Sequence, residues 1–182
     1  MVTAQQTLFD TSLPVPAAVK VHISGATVTI EGPKGKNSRT FLHPRFIISS
    51  AGSELLIKST MKKPGRNDKM LINTTRAHLR NMVHGVQEGY HAELKVCSGH
   101  FPITVTIEGS NVIIKNFLGE KYPRRTSAMP GCKIALQGDQ IMVDGLDREA
   151  VGQTAARIEQ ATRITNRDRR IFQDGCYITK KP

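Results

Sequence analysis

The segment VKVHISGATVTIEGPKG, residues 19–35, returns as ITVTIEGSNVIIKNFLG, residues 103–119, at a constant offset of 84. Both copies alternate apolar and polar side chains on either side of a glycine. This pattern predicts an antiparallel hairpin that turns at Gly25 in the first copy and at Gly109 in the second. Six aligned positions are identical, namely Val21/Val105, Ile23/Ile107, Gly25/Gly109, Val28/Val112, Ile30/Ile114 and Gly35/Gly119. Such a repeat indicates two similar domains in tandem, which we place at residues 1–86 and 87–182.

Beyond the repeat, each half continues with short strands and then one helix. Apolar positions from Ile72 to Val86 follow helical spacing, and Gly85 stands where a C-terminal cap is expected. In the second half Asp147 predicts an N-cap, and we attribute Gly152 inside the helix to close packing on the sheet. Residues 87–102 are expected to add a strand. The predicted fold class is α+β, with an antiparallel-rich sheet and one helix on one face in each domain.

The composition indicates a partner of negative charge. The 182 residues include 26 Lys and Arg against 15 Asp and Glu, giving a net charge of +11 and a pI near 9.9. Chains this basic usually bind nucleic acid and less often an acidic membrane surface. The sequence has three widely spaced cysteines, no leader-like N-terminus and no apolar run of about 20 residues, so we expect a cytoplasmic protein without disulfides. No metal or cofactor is expected.

Two segments concentrate the positive charge of the second half, a loop at Gly119–Arg125 and a tail from Arg163 onward that lies outside the repeat. Guanidinium groups can fork onto phosphate, and a tyrosine can stack on an unpaired base. The tail is expected to be held by its apolar side chains Ile171, Phe172, Tyr177 and Ile178. The candidate RNA-binding residues are Lys121, Tyr122, Arg124, Arg125, Arg163, Arg167, Arg169, Arg170, Lys180 and Lys181.

In the first half, residues 1–18 read as an N-terminal arm and Lys58–Lys69 as a basic loop. Gly32-Pro-Lys-Gly35 matches the Gly-x-x-Gly that clamps nucleic acid in KH domains, although here it follows a predicted strand. The six histidines have no metal-ligand spacing, and no nucleophile or phosphate-loop motif occurs. We therefore predict no enzyme, and keep a KH-like RNA-binding regulator and a small RNA-processing enzyme as alternatives.

Three longer stretches carry a family resemblance: Asn116–Arg125, Ala150–Ile164 and Asn166–Ile178. They are similar to signatures of the L-six family of large ribosomal subunit proteins, called L-nine in eukaryotes, and most similar to its archaeal form. The resemblance implies a structural protein that binds large-subunit ribosomal RNA near the factor-binding region, close to the sarcin–ricin loop and the stalk base. It also implies that most RNA contact comes from the second domain and tail, with neighbouring ribosomal proteins as further partners and the cytoplasmic ribosome as location.

Overall fold

A computed structural model describes residues 11–51, 54–61, 63–168 and 170–182. The chain divides into two compact units, one ending at Glu88 and the other spanning Gly89–Pro182. In its described residues each unit has antiparallel strands and one long helix, so the predicted α+β class is confirmed. The expectation of a single sheet in each domain is wrong, because the described strands of each unit form two sheets. In the first unit the segment 41–45, which contains Pro44, carries the chain from one sheet to the other.

The described elements of the first unit are β1 (Thr11–Pro14), β2 (Lys20–Ser24), β3 (Thr27–Gly32), β4 (Gly35–Thr40), β5 (Phe46–Ala51), β6 (Glu54–Ser59) and α1 (Arg66–Gln87). Their strands form the sheets β2-β3-β4 and β1-β6-β5. The predicted hairpin is confirmed, since β2 and β3 pair across Gly25, whose φ of 60° is a left-handed value that glycine adopts without strain. Ile30, Leu55, Ile57 and Leu79 are fully buried in the core of this unit.

Two features of the first unit differ from the predicted arm and basic loop. Thr11–Pro14, placed in an N-terminal arm, is a strand at the sheet edge, where the missing N–H of Pro14 breaks no essential ladder bond. Residues 58 and 59 belong to β6 and α1 begins at Arg66, so the predicted basic loop is restricted to the few residues between these elements. The Asp68 carboxylate accepts the Gly65 N–H at 2.8 Å and thereby caps the helix start.

The end of α1 also lies beyond the predicted position. Gly85 is buried inside the helix, and the residue with left-handed backbone is Gly89, with φ of 79°. A Cβ on Gly32 would lie 2.8 Å from the Val86 side chain, and the Lys34 N–H donates to the Val86 carbonyl at 3.0 Å. The Gly-Pro-Lys-Gly segment is therefore a turn between two strands that packs on a helix, unlike the helix-joining loop of KH domains.

The described elements of the second unit are β7 (Tyr90–Cys97), β8 (Thr104–Glu108), β9 (Asn111–Lys115), a 3-10 turn (Phe117–Gly119), β10 (Arg124–Ser127), β11 (Cys132–Gln137), β12 (Gln140–Gly145), α2 (Arg148–Ala161) and β13 (Gly175–Lys180). Their strands form the sheets β8-β9-β10 and β11-β12-β7-β13. The hairpin of this unit turns at Gly109, where φ is 61°, as predicted. Fully buried Leu94, Ile114, Phe117 and Ile141 lie in its core.

Helix α2 begins as predicted. The Asp147 side chain accepts the Glu149 N–H at 3.1 Å and caps the helix. The explanation offered for Gly152 is wrong, because among the described residues a Cβ there would contact Pro182, at 3.6 Å, and no strand. Strand β7 confirms the strand expected in residues 87–102. It pairs with β12 as β1 pairs with β6, so these two strands are equivalent in the two units.

Strand β13 is an addition to the second unit, contributed by the tail. It pairs with β7, and Cys176 on it is fully buried. Phe172 and Ile178 pack against the core as expected, but Ile171 and Tyr177 are 62% and 41% exposed and do not serve as buried anchors. The tail is therefore part of the folded unit. Within the described ranges, no helix is both long and apolar enough to cross a membrane.

Candidate nucleic-acid interface

The loop that joins β9 to β10 is fixed by its backbone and by one aromatic side chain. Asn116, Leu118 and Gly119 have positive φ angles of 57°, 50° and 76°. Asparagine and glycine adopt this region readily, whereas leucine does so rarely. Phe117 is buried in the core, and the Asn116 amide donates to the Pro102 carbonyl at 3.0 Å. The sequence Asn-Phe-Leu-Gly therefore reverses the chain tightly before the basic residues.

Arg124, at the start of β10, is engaged within the protein. Its Nε donates to the Glu120 carboxylate at 2.8 Å, and its Nη2 binds the other carboxylate oxygen. Its Nη1 donates to the carbonyls of Ala161 and Arg163 at 2.8 and 3.3 Å, at the end of α2. The guanidinium carbon lies 4.2 Å from the centre of the Phe117 ring. Arg124 thus ties the loop to the C-terminal end of α2, where a positive charge is favoured.

The electrostatics of this pair agree with its geometry. The hydrogen bond from Arg124 holds the pKa of the Glu120 carboxyl below its usual value, although partial burial opposes this shift. The Glu120 carboxyl is therefore ionised at neutral pH. With its donors occupied, Arg124 has little remaining capacity for phosphate, and its role in this structure is to position the loop.

The neighbouring Arg125 points to the opposite face. Successive residues of a strand alternate between faces, so Arg124 and Arg125 are separated although they are adjacent in sequence. Arg125 is exposed and pairs with Ile113 of β9 in the backbone register. It lines an open groove of about 740 Å³ over the outer face of the β8-β9-β10 sheet. Lys121 and Tyr122, in the loop before it, are exposed, Tyr122 to 78%.

The first part of the tail carries a stack of three side chains. The Arg167 guanidinium lies 4.9 Å from the centre of the Phe172 ring, and the His100 ring stacks on the same phenylalanine at 4.8 Å. Asp174, fully buried, accepts the N–H groups of Gly99 and His100. Burial raises the pKa of the Asp174 carboxyl, but backbone N–H bonds outweigh it and hold the pKa below its ordinary value. This carboxylate fastens the tail to the loop after β7.

The remaining tail cations differ in their partners. The Arg170 guanidinium donates to both carboxylate oxygens of Asp168, with Nη2 at 2.8 Å from Oδ2. This side-chain hydrogen bonding lowers the pKa of the Asp168 carboxyl. Arg163 is exposed just after α2, and Lys181 is exposed near the C-terminus. Lys180 lies 3.3 Å from Glu93 on β7. Arg169 lies outside the described residues.

The predicted residues do not form a single cluster. The carbonyl of Arg163 accepts from Arg124, which places the start of the tail beside the loop. The C-terminal residue lies near the other end of α2, since the Pro182 carbonyl accepts from the Arg148 Nε at 3.2 Å. A helix of 14 residues is about 20 Å long, so Lys181 and Arg163 mark opposite ends of this surface.

Two cations outside the predicted RNA-binding residues also line the groove beside Arg125. Lys115 ends β9, and Arg157 reaches the groove from α2. The alternation of Asn111, Ile113 and Lys115 on one strand face gives a sequence signal for the first. No local pattern indicates the second, because its position depends on how α2 packs against β10.

One histidine is surrounded by carboxylates on the face of the four-stranded sheet. His91 contacts Asp144 at 2.7 Å through Nδ1 and Glu93 at 3.0 Å through Nε2. These contacts link β7 to β12, and Lys180 extends the network to β13. Across the described ranges, no group of three or more His, Cys, Asp or Glu side chains is placed to hold a metal ion.

Fold and surface together define the class of protein: a tandem α+β protein whose second unit presents cations from a loop, a helix and a tail. The family model for Ribosomal protein L6 matches residues 15–89 and again residues 101–175, one match in each unit. The chain therefore belongs to the ribosomal protein L6 family, and the resemblance predicted from its motifs is confirmed.

Three of the most similar relatives are archaeal proteins. Large ribosomal subunit protein uL6 of Methanobrevibacter smithii is 39% identical, over 93% of this chain and 94% of the relative. The protein of the same name from Methanococcus vannielii is 40% identical, over 96% and 94%. That from Methanocella arvoryzae is 42% identical, over 93% and 95%. The chain is thus similar to archaeal members along nearly its whole length.

Proposed function

We propose that this protein is a structural, non-catalytic component of the large ribosomal subunit and binds large-subunit ribosomal RNA in the cytoplasm. The observation that carries the proposal is the family match in both units, at about 40% identity to proteins named for the large subunit. The net charge of +11 is consistent with an RNA partner. Residues 1–86 and 87–182 act as its two domains.

The second domain provides the main RNA contact in this proposal. Lys121, Tyr122, Arg125 and Arg163 are exposed on or beside the loop, and the tail adds further cations. Arg124 supports this surface from within. We place the contact near the factor-binding region, close to the sarcin–ricin loop and the stalk base, where other ribosomal proteins are neighbours.

Co-sedimentation with footprinting tests this function. Tagged protein expressed in an archaeal host should move with large subunits in a sucrose gradient, and it should protect nucleotides of the factor-binding region from chemical cleavage. Recovery only at the top of the gradient would contradict the ribosomal function. Protection confined to another region would leave the ribosomal function standing and reject the proposed location.

A further inference from the structure

A groove on the outer face of the β8-β9-β10 sheet carries an excess of positive charge. It is lined by three cations, Lys115, Arg125 and Arg157, and by one acid, Glu108. The cations come from three different elements, β9, β10 and α2. In the described part of the chain, none of these three side chains forms an ion pair or a side-chain hydrogen bond, whereas Arg124 next to them is fully engaged. The groove therefore holds cations that are free to meet an anion.

The lining also shows what kind of anion fits. The amide or hydroxyl groups of Asn111, Thr126 and Ser127 also line the groove, together with Ile113 and Pro123. No aromatic residue is among the described residues that line it. Single-stranded RNA is usually held by stacking of its bases on aromatic rings. Duplex RNA is held by contacts to phosphates and 2′-hydroxyl groups across its shallow minor groove. Cations interspersed with amide and hydroxyl groups match the second requirement.

We propose that this groove binds the sugar–phosphate backbone of a duplex segment of RNA, with Lys115, Arg125 and Arg157 on phosphates and Asn111 and Ser127 on 2′-hydroxyl groups. This inference rests on the proposed function and extends it. It specifies duplex RNA as the ligand, and it adds Lys115 and Arg157 to the predicted RNA-binding residues. The groove would recognise the shape and the sugar–phosphate backbone of the RNA and not its bases, so it confers little sequence preference.

The charge-neutralised double variant Lys115→Gln/Arg157→Gln tests the groove. The control is Lys95→Gln/Lys133→Gln, which removes the same charge from exposed positions on β7 and β11 of the other sheet. Both variants are compared with the unaltered protein for thermal stability, because Arg157 is half-buried whereas Lys115, Lys95 and Lys133 are exposed. Affinities are compared only when the variants keep the melting temperature of the unaltered protein within a few degrees. The ligands are large-subunit ribosomal RNA, an RNA duplex of about 16 base pairs, its DNA counterpart and its single strand.

We expect the unaltered protein to prefer the RNA duplex over the DNA duplex and the single strand. The groove variant should bind duplex RNA about tenfold more weakly for each cation removed, and the slope of log affinity against log salt should fall by about one per cation. Loss in the groove variant no greater than in the control, or preference for the single strand, would overturn the inference.

The same experiment separates this inference from the function on which it rests. If the unaltered protein binds ribosomal RNA and both double variants bind it equally well, the groove assignment fails and the ribosomal function stands. If the unaltered protein fails to bind ribosomal RNA, the proposed function fails, and the groove assignment fails with it.

Discussion

Replacing Arg124 by alanine should destabilise the second unit far more than replacing its neighbour Arg125. Arg124 joins the Glu120 carboxylate, two carbonyls at the end of α2 and the Phe117 ring, and its side chain is only 27% exposed. Arg125 is exposed, and its side chain has no partner among the described residues. Two adjacent arginines, one internal and one external, thus form a matched pair for experiment.

The contacts of Arg124 set the expected magnitude. Hydrogen bonds that involve a charged group contribute about 1.5–3 kcal/mol, and Glu120 is partly exposed, so the lower end applies. The contact with Phe117 adds about 1 kcal/mol. The free energy of unfolding should therefore fall by about 2–3 kcal/mol. For a domain of this size that corresponds to a decrease in Tm of about 10–20 °C.

Tyrosine fluorescence can follow this unit selectively. The chain has no tryptophan, and its three tyrosines, Tyr90, Tyr122 and Tyr177, all lie in the second unit. In urea titrations Arg124→Ala should shift the midpoint strongly. Arg125→Ala should stay within about 0.5 kcal/mol of the unaltered protein. Arg124→Lys should recover little stability, because an ammonium group cannot form the two parallel hydrogen bonds to the Glu120 carboxylate. Equal midpoints for Arg124→Ala and Arg125→Ala would refute this account of the pair.

Three further substitutions test local features of the second unit. Asp147→Ala should cost about 1 kcal/mol in urea unfolding through loss of the N-cap, and an unchanged midpoint would reject the cap. Gly145→Ala should lower the free energy of unfolding by about 1–3 kcal/mol, because its Cβ would lie 2.7 Å from the Val151 side chain. Unchanged stability would show that α2 can shift at little cost to make room for the methyl group. The pKa of Asp174 is depressed in the folded protein, so its contribution is present above its unfolded pKa of about 4 and is lost as pH falls through the folded value. Lowering the pH should therefore reduce the free energy of unfolding of the unaltered protein more than that of Asp174→Asn. Identical profiles of this free energy against pH would contradict the prediction.

The repeated hairpin could be predicted from sequence because its signals are local. Period-two alternation and the glycines at positions 25 and 109 define strands and turn without reference to the rest of the chain. The strands β1 and β13 could not be predicted in this way, since each acquires its partner from a distant segment. Proline and clustered cations are unfavourable in central strands, but the edge positions of β1 and β13 tolerate both.

The candidate site shows the same division between local and distant information. The loop and the tail could be recognised from their basic composition. RNA binding by their exposed cations stays a prediction. The separate roles of Arg124 and Arg125 follow from strand alternation together with the nearby end of α2, and only the first of these can be read from sequence. Arg157 was missed because its place in the groove depends on how the helix packs.

Equilibrium binding of large-subunit ribosomal RNA to two charge-matched triple variants shows whether the second unit provides the main RNA contact. One variant replaces Lys115, Lys121 and Arg125 of the second unit by glutamine. The other replaces Lys20, Lys34 and Lys58, exposed cations of the first unit. We expect the affinity to fall about a hundredfold or more, and the slope of log affinity against log salt to fall by about three, in the second-unit variant alone. Equal losses in both variants, or none in either, would contradict the claim that the second unit provides the main RNA contact.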